Sequence, residues 1–297
     1  MPEASQFQKI SGLFVRFAIV AVCGIGLSAC STVDNLNPFG APKYKQKLVE
    51  DKPVNLLYDE GLHFLKKGDY ESAVQRFNEL QKVHPDSEMA RKAILMQGFA
   101  NYEAGAYDEA ITAMARYHRI DARSNDAAYA QYIVAMSYYK QIPDISRDQG
   151  QSQKAVDAME ILLKNYPKSE YVNDVKSKLR LAKDQLAGKE MEVGRFYLNK
   201  RNYHAAINRF RDVVAKYQTT RHIEEALMRL TEGYMALGIR NEAQTAAAVL
   251  GHNFPDSRWY KDAYALLQSG GLEPREDTGS WISRTFRSGT RKVGFGN

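Results

Sequence analysis

Apolar residues recur every three to five positions from about residue 53 onwards, with charged residues between them. Leu57, Leu62 and Leu65 show this spacing, which is typical of amphipathic helices. No segment alternates between apolar and polar residues as a half-buried strand would. The pattern therefore predicts an all-α fold.

A repeat appears when the chain is aligned on five anchor alanines, which lie 37, 45, 51 and 37 residues apart: Ala73, Ala110, Ala155, Ala206 and Ala243. The fourth residue after each anchor is mostly large: Phe77, Met114, Met159, Phe210 and Ala247. Three units carry a glycine twelve residues before the anchor, where a small residue lets two helices approach closely: Gly61, Gly98 and Gly194. These offsets are similar to those of the tetratricopeptide repeat, whose period is about 34 residues.

Every unit also carries a hydroxyl fourteen residues after its anchor, where it is expected to cap the next helix: Ser87, Ser124, Ser169, Thr220 and Ser257. One such unit cannot bury its own apolar face, so neighbouring units must stack. We therefore predict a tetratricopeptide-repeat α-solenoid of about five helix pairs over residues 53–270. Residues 142–150 interrupt it as a polar loop, and an added helical stretch makes a joint near residues 171–188.

The N-terminal segment has the features of an export signal. Lys9 and Arg16 precede an apolar run that ends in Leu27-Ser28-Ala29-Cys30. This ending resembles the lipobox of bacterial lipoproteins, and the run is shorter than the roughly 20 residues a membrane-spanning helix needs. We expect a lipoprotein signal peptide at 1–29, an N-acyl and S-diacylglycerol lipid on Cys30, and a tether at 30–52. The alternative is an ordinary secretory signal beside a free thiol.

The C-terminal segment is basic. Its last 17 residues include Arg284, Arg287, Arg291 and Lys292 and no acidic residue. Residues 271–297 are therefore expected to form a basic, flexible tail.

The sequence offers no constellation of catalytic residues. Its six histidines include no pair at metal-ligand spacing, and no Gly-rich phosphate loop or nucleophile elbow is present. We expect no enzyme activity, no metal and no cofactor besides the lipid. The net charge of +6 permits contact with nucleic acid, but the export signal argues against that partner.

Beyond the repeats, several strings resemble the BamD family, the tetratricopeptide lipoproteins of the machinery that inserts β-barrels into the Gram-negative outer membrane. They are Arg147-Asp148, the string Tyr-Pro-Lys-Ser-Glu-Tyr at 166–171, and the run from Leu186 to Arg209. Gln149 and Gln218 depart from the family pattern, which has proline at both positions. Ser31 after the cysteine resembles the class sorted to the outer membrane.

This resemblance implies a scaffold on the periplasmic face of the outer membrane. Its C-terminal repeats would bind periplasmic domains of a BamA-like barrel insertase through Arg209, Arg201 and Arg195. Its N-terminal repeats would bind extended segments of unfolded outer-membrane proteins, in a groove containing Gln97, Asn101, Tyr132 and Tyr58. Other BAM lipoproteins are expected neighbours.

Two other functions remain compatible with the sequence. A repeat lipoprotein that serves pilus, secretion or cell-wall assembly would share the anchor and the solenoid. A peptidoglycan-acting enzyme would need a catalytic acid in a cleft, and the sequence nominates none. Arg209 itself has a simpler interpretation as part of a solvated helix face.

Overall fold

The structure, a computed structural model, describes residues 52–292, with side chains to residue 287. This range contains twelve α-helices and no strand. They are α1 (Val54–Lys66), α2 (Tyr70–Val83), α3 (Glu88–Glu103), α4 (Tyr107–Asp121), α5 (Ala127–Lys140), α6 (Gly150–Asn165), α7 (Val172–Asn199), α8 (Tyr203–Lys216), α9 (Ile223–Ala236), α10 (Arg240–Asn253), α11 (Arg258–Ser269) and α12 (Trp281–Lys292).

The first ten helices form five pairs, from α1–α2 to α9–α10, and each helix packs mainly on its neighbours in sequence. The first helices of successive pairs also touch, as α1 and α3 do. This is the stacking of a repeat solenoid, and it confirms the predicted fold. Helix α11 covers the last pair, whereas α12 packs on α10 and α8.

The repeat offsets mark the core. All five anchor alanines are fully buried, as are the five residues four positions later. The glycines lie against these later residues: a Cβ on Gly61 would come within 2.5 Å of the Phe77 ring, and one on Gly194 within 2.8 Å of Phe210 Cζ. Gly61 and Gly194 are therefore required for the close packing of their helix pairs.

The predicted hydroxyl caps are confirmed only in part. Ser87 and Ser257 accept hydrogen bonds from the main-chain nitrogens of Ala90 and Trp259, at the starts of α3 and α11. The Ser124 and Thr220 hydroxyls instead donate to carbonyl oxygens three residues earlier. Short polar side chains form such local turns in competition with capping.

The predicted joint is a continuous helix. Helix α7 has 28 residues and includes both the added stretch and the first helix of the fourth pair. The loop before α6 braces it, because Gln185 and Lys189 donate to the carbonyl oxygens of Pro143 and Ser146, each at 3.1 Å.

The expectation of a flexible tail at 271–297 is wrong for the part that the structure describes. Residues 281–292 form α12, in which Ile282 is fully buried and Phe286 is 9% exposed. These two apolar residues are one helical turn apart, a signal too short to stand out among the surrounding arginines. The signal peptide, Cys30 and all of the tether except Lys52 lie outside the described residues.

Candidate functional site

An open groove lies on α2, α3 and α4, in the first two pairs. It consists of two cavities, of about 430 Å³ and about 340 Å³, that share Arg116. We call them together the α2–α4 groove. Its lining residues used below are Asn78, Gln81, Pro85, Gln97, Asn101, Asp108, Glu109, Thr112, Arg116 and Arg119. Two of the predicted substrate-binding residues, Gln97 and Asn101, lie here one helical turn apart.

A hydrogen-bond network forms the floor of the groove. The Gln97 amide donates to Asn78 Oδ1 at 2.9 Å, and its oxygen accepts from Arg116 Nη2 at 2.8 Å and from Gln81 Nε2 at 3.1 Å. Arg116 Nη2 also donates to Gln81 Oε1. The network holds the Arg116 guanidinium in place with neutral amides only.

Arg116 is a cation without a counter-ion among the described residues. No carboxylate lies within ion-pair distance of it, and its buried Nε has no hydrogen-bond partner in that part of the chain. Burial lowers the pKa of Arg116, and the charge of Arg119 lowers it further. An uncompensated, partly buried guanidinium is costly and favours an incoming anion.

The other two predicted groove residues lie elsewhere. Tyr132 donates to Asp174 Oδ2 at 2.9 Å and stacks on the Tyr171 ring, with 4.5 Å between ring centroids. Burial raises the pKa of Tyr132, as does its hydrogen bond to Asp174. The Tyr58 ring packs on the Phe77 ring, with 5.9 Å between ring centroids. The predicted single groove of four residues is therefore divided, because Tyr58 and Tyr132 do not line the α2–α4 groove.

The three predicted partner-binding arginines lie on α7, on α8 and in the turn between them. Arg209 on α8 pairs with Glu190 on α7 at 3.1 Å, and its side chain remains 44% exposed. Arg195 on α7 pairs with Glu225 on α9 at 3.1 Å. Exposed ion pairs of this kind stabilise a fold by less than about 1 kcal/mol. Both arginines can therefore exchange their internal partner for one on another protein at little cost.

Arg201 has an unusual backbone conformation. In the turn between α7 and α8 it has φ 57°, whereas Gly68, Gly105 and Gly238 hold positive φ in the corresponding turns of three other pairs. A non-glycine residue in this conformation costs roughly 1–2 kcal/mol. Residues under such strain cluster at functional sites.

The sequence analysis missed Arg116. Its signal was available, since Gln81, Gln97 and Arg116 stand where the last two pairs carry Val214, Leu230 and Val249. Recognising it required knowing that three helices bring these residues together.

The remaining chemistry in the described range is sparse. No three His, Cys, Asp or Glu side chains between residues 52 and 287 are arranged to hold a metal ion. None of the helices described is long and apolar enough to span a membrane.

These features define a tetratricopeptide-type repeat protein with open surfaces, a class whose members bind other polypeptides. The family model described as YfiO, outer membrane lipoprotein, matches residues 50–250. The outer membrane protein assembly factor BamD of Caulobacter vibrioides is 43% identical over 235 residues, which are 79% of this chain and 77% of that protein. BamD of Rickettsia prowazekii is 39% identical over 248 residues, 84% of this chain and 94% of that protein. The chain belongs to the BamD family of outer membrane lipoproteins.

Proposed function

We propose that this protein is a lipid-anchored scaffold of the β-barrel assembly machinery, holding a barrel insertase and unfolded outer-membrane proteins while the substrates are folded and inserted. The observation that supports it best is the family match over residues 50–250, which includes both the α2–α4 groove and the arginines of α7 and α8. No bond is made or broken in this role, and it requires neither metal nor nucleic acid.

The C-terminal pairs are proposed to bind periplasmic domains of a BamA-like insertase. Arg209, Arg195 and Arg201 present three guanidinium groups from two helices and the turn between them. A guanidinium binds a carboxylate with paired, directional hydrogen bonds, so an acidic patch on the insertase is the expected complement.

The N-terminal pairs are proposed to bind unfolded substrate. Gln97 and Asn101 line an open groove, and amide side chains can both donate to and accept from an extended main chain. Tyr58 and Tyr132 would contribute through a different surface of the same repeats. The anchor on Cys30 would keep this groove at the periplasmic face of the outer membrane, beside the other BAM lipoproteins, and raise the local concentration of substrate.

A pull-down tests the insertase contact. Full-length wild type, Arg209→Glu and Lys216→Glu are each isolated from membranes in mild detergent, and retained proteins are identified by mass spectrometry. Lys216 is the matched control, because it lies on the same helix and is also ion-paired, to Asp212 at 2.8 Å. We expect a barrel protein with periplasmic domains to be retained by wild type and Lys216→Glu and lost with Arg209→Glu.

Two results would contradict the proposal. Retention of the barrel protein by all three variants would remove Arg209 from the contact. Recovery of pilus, secretion or cell-wall proteins in its place would favour the alternative scaffold role.

A further inference from the structure

The second and fifth helix pairs occupy corresponding positions in the repeat. Their anchors, Ala110 and Ala243, each follow the preceding anchor by 37 residues, so residue n of the first two units corresponds to residue n + 133 of the last two. The helix boundaries follow this rule: α2 (Tyr70–Val83) corresponds to α8 (Tyr203–Lys216) at both ends. The α2–α4 groove therefore has a counterpart on α8, α9 and α10.

The chain covers that counterpart with its own C-terminal segment. Trp281 donates from Nε1 to the Tyr234 hydroxyl at 3.1 Å, and its ring faces the Arg211 guanidinium 4.7 Å from the centroid. The Ser280 hydroxyl donates to Glu242 at 2.6 Å. Three elements of the solenoid thus fix the start of α12.

Two further hydrogen bonds show in which direction the segment runs. Before α12, the Asp277 main-chain nitrogen donates to Thr245 Oγ1 at 3.1 Å. Near its end, the Thr285 carbonyl accepts from Gln218 at 3.2 Å. Helix α12 therefore runs from the start of α10 towards the end of α8.

All five solenoid residues in these contacts correspond to residues that line the α2–α4 groove. The corresponding residues, in the order Arg211, Gln218, Tyr234, Glu242 and Thr245, are Asn78, Pro85, Asn101, Glu109 and Thr112. The two cavities of the groove thus mark the path that α12 takes on the other half.

The floors of the two surfaces differ in polarity. Three buried apolar residues of α8, α9 and α10 share one core with Ile282 and Phe286: Val214, Leu230 and Val249. Their counterparts in the open groove are Gln81, Gln97 and Arg116, the hydrogen-bonded network around the unpaired guanidinium. Corresponding positions of the two surfaces are therefore apolar in one and polar in the other.

The charges along the groove fit one orientation of an occupant. Asp108 and Glu109 lie at the end where α12 begins on the other half, and carboxylates there suit the positive end of a helix dipole. Arg116 lies about 12 Å further along α4, by the rise of an α-helix. Arg119 and Arg91 add positive charges at that end, where Asp86 contributes one negative charge.

We propose that the α2–α4 groove docks a helical segment of a partner polypeptide, in the manner of α12, with a carboxylate paired to Arg116 where α12 carries Ile282 or Phe286. This inference rests on the polypeptide-binding role proposed above but differs from it in one respect: the segment bound in this groove is helical and acidic, whereas the substrate segment proposed above is extended. The occupant is an acidic amphipathic helix, and Arg116 selects it.

Two peptides test this inference against the full chain in detergent, by fluorescence anisotropy. Both have the sequence of residues 277–287 with blocked ends. One carries Ile282→Glu and Phe286→Glu, and the other carries Ile282→Gln and Phe286→Gln. We expect the acidic peptide to bind at least tenfold more tightly, and this preference to weaken with salt.

Two protein variants locate the binding. Arg116→Gln should abolish the preference for the acidic peptide, whereas Arg123→Gln, at an exposed position just after α4, should leave it unchanged. A triple variant with Gln81→Val, Gln97→Leu and Arg116→Val copies the other floor. It should prefer the unmodified 277–287 peptide to the acidic one.

Equal affinity for the two peptides, or a preference that survives Arg116→Gln, would overturn the inference. So would a failure of both peptides to bind. None of these results affects retention of the insertase in the pull-down, and loss of that retention leaves the peptide preference intact. The two proposals therefore fail separately.

Discussion

Pairs one and two and pairs four and five share the same anchor spacing and the same buried anchors, yet their surfaces differ. On pairs four and five, Val214, Leu230 and Val249 are buried in one core with two residues of α12. On pairs one and two, the corresponding surface is polar and open. Two surfaces at the same place in the repeat thus differ in the polarity of three side chains on each.

The hydrophobic cores of the two halves also differ. The last two pairs, α11 and α12 share one continuous apolar cluster, whereas the first three pairs have several smaller ones. Solenoid stability is roughly a sum of repeat and interface contributions, so the covered half is expected to be the more stable half.

Detaching α12 should have the largest effect on stability. Ile282→Asp places a carboxylate at a fully buried position, so α12 should detach, with a loss of about 3 kcal/mol in the free energy of unfolding. Trp281 would leave Tyr234 and Arg211, and its fluorescence should shift to longer wavelength. The control is Arg284→Asp at an exposed position of the same helix. Unchanged emission in Ile282→Asp would show that α12 does not depend on this contact.

An intermediate effect is expected from two glycines at the same offset from their anchors, Gly194 in the fourth pair and Gly98 in the second. Gly194→Ala forces a methyl group against the rigid Phe210 ring and should destabilise the fold by about 1–2 kcal/mol, despite the better helix propensity of alanine. Gly98→Ala meets the flexible end of Met114, with Cε 2.6 Å from the added Cβ. That thioether can turn aside, so the second change should cost less than about 0.5 kcal/mol. Urea unfolding compares them, and equal losses would contradict this account.

The smallest effect concerns the turn between α7 and α8. Arg201→Gly should raise the free energy of unfolding by about 1 kcal/mol, because glycine adopts positive φ without strain. If Arg201 contacts the insertase, the same variant should retain less of it in the pull-down. Urea titration and retention are measured on the same protein. Lower stability of Arg201→Gly would show that the side chain stabilises the turn.

The repeat could be predicted from the sequence, because three features recur at fixed offsets: an alanine, a mostly large residue four positions after it and, in three units, a glycine twelve positions before it. Each of these positions takes part in a buried contact. Helix α12 could not be predicted from the sequence, because only Ile282 and Phe286 mark its apolar face within a basic segment. Its docking depends on Tyr234, Glu242 and Thr245, which lie far away in the sequence.

The grouping of the candidate site residues could not be predicted from the sequence. Gln97 and Asn101 were assigned to one groove with Tyr58 and Tyr132, and the structure separates the two pairs. Gln97 faces α2 and α4 through Asn78 and Arg116, whereas Tyr132 points to the start of α7. Helical periodicity does not show which neighbouring helix each face meets.

Helix α7 joins the two halves as an uninterrupted rod of about 42 Å, the length of 28 residues at the rise of an α-helix. A ligand that engages both halves at once must have two binding segments joined by a linker that reaches between them. A linker that is too short would prevent simultaneous binding, and a long one would lower the effective concentration of the second segment. The length of α7 would therefore favour bivalent ligands whose two contacts are joined by a chain long enough to reach both halves.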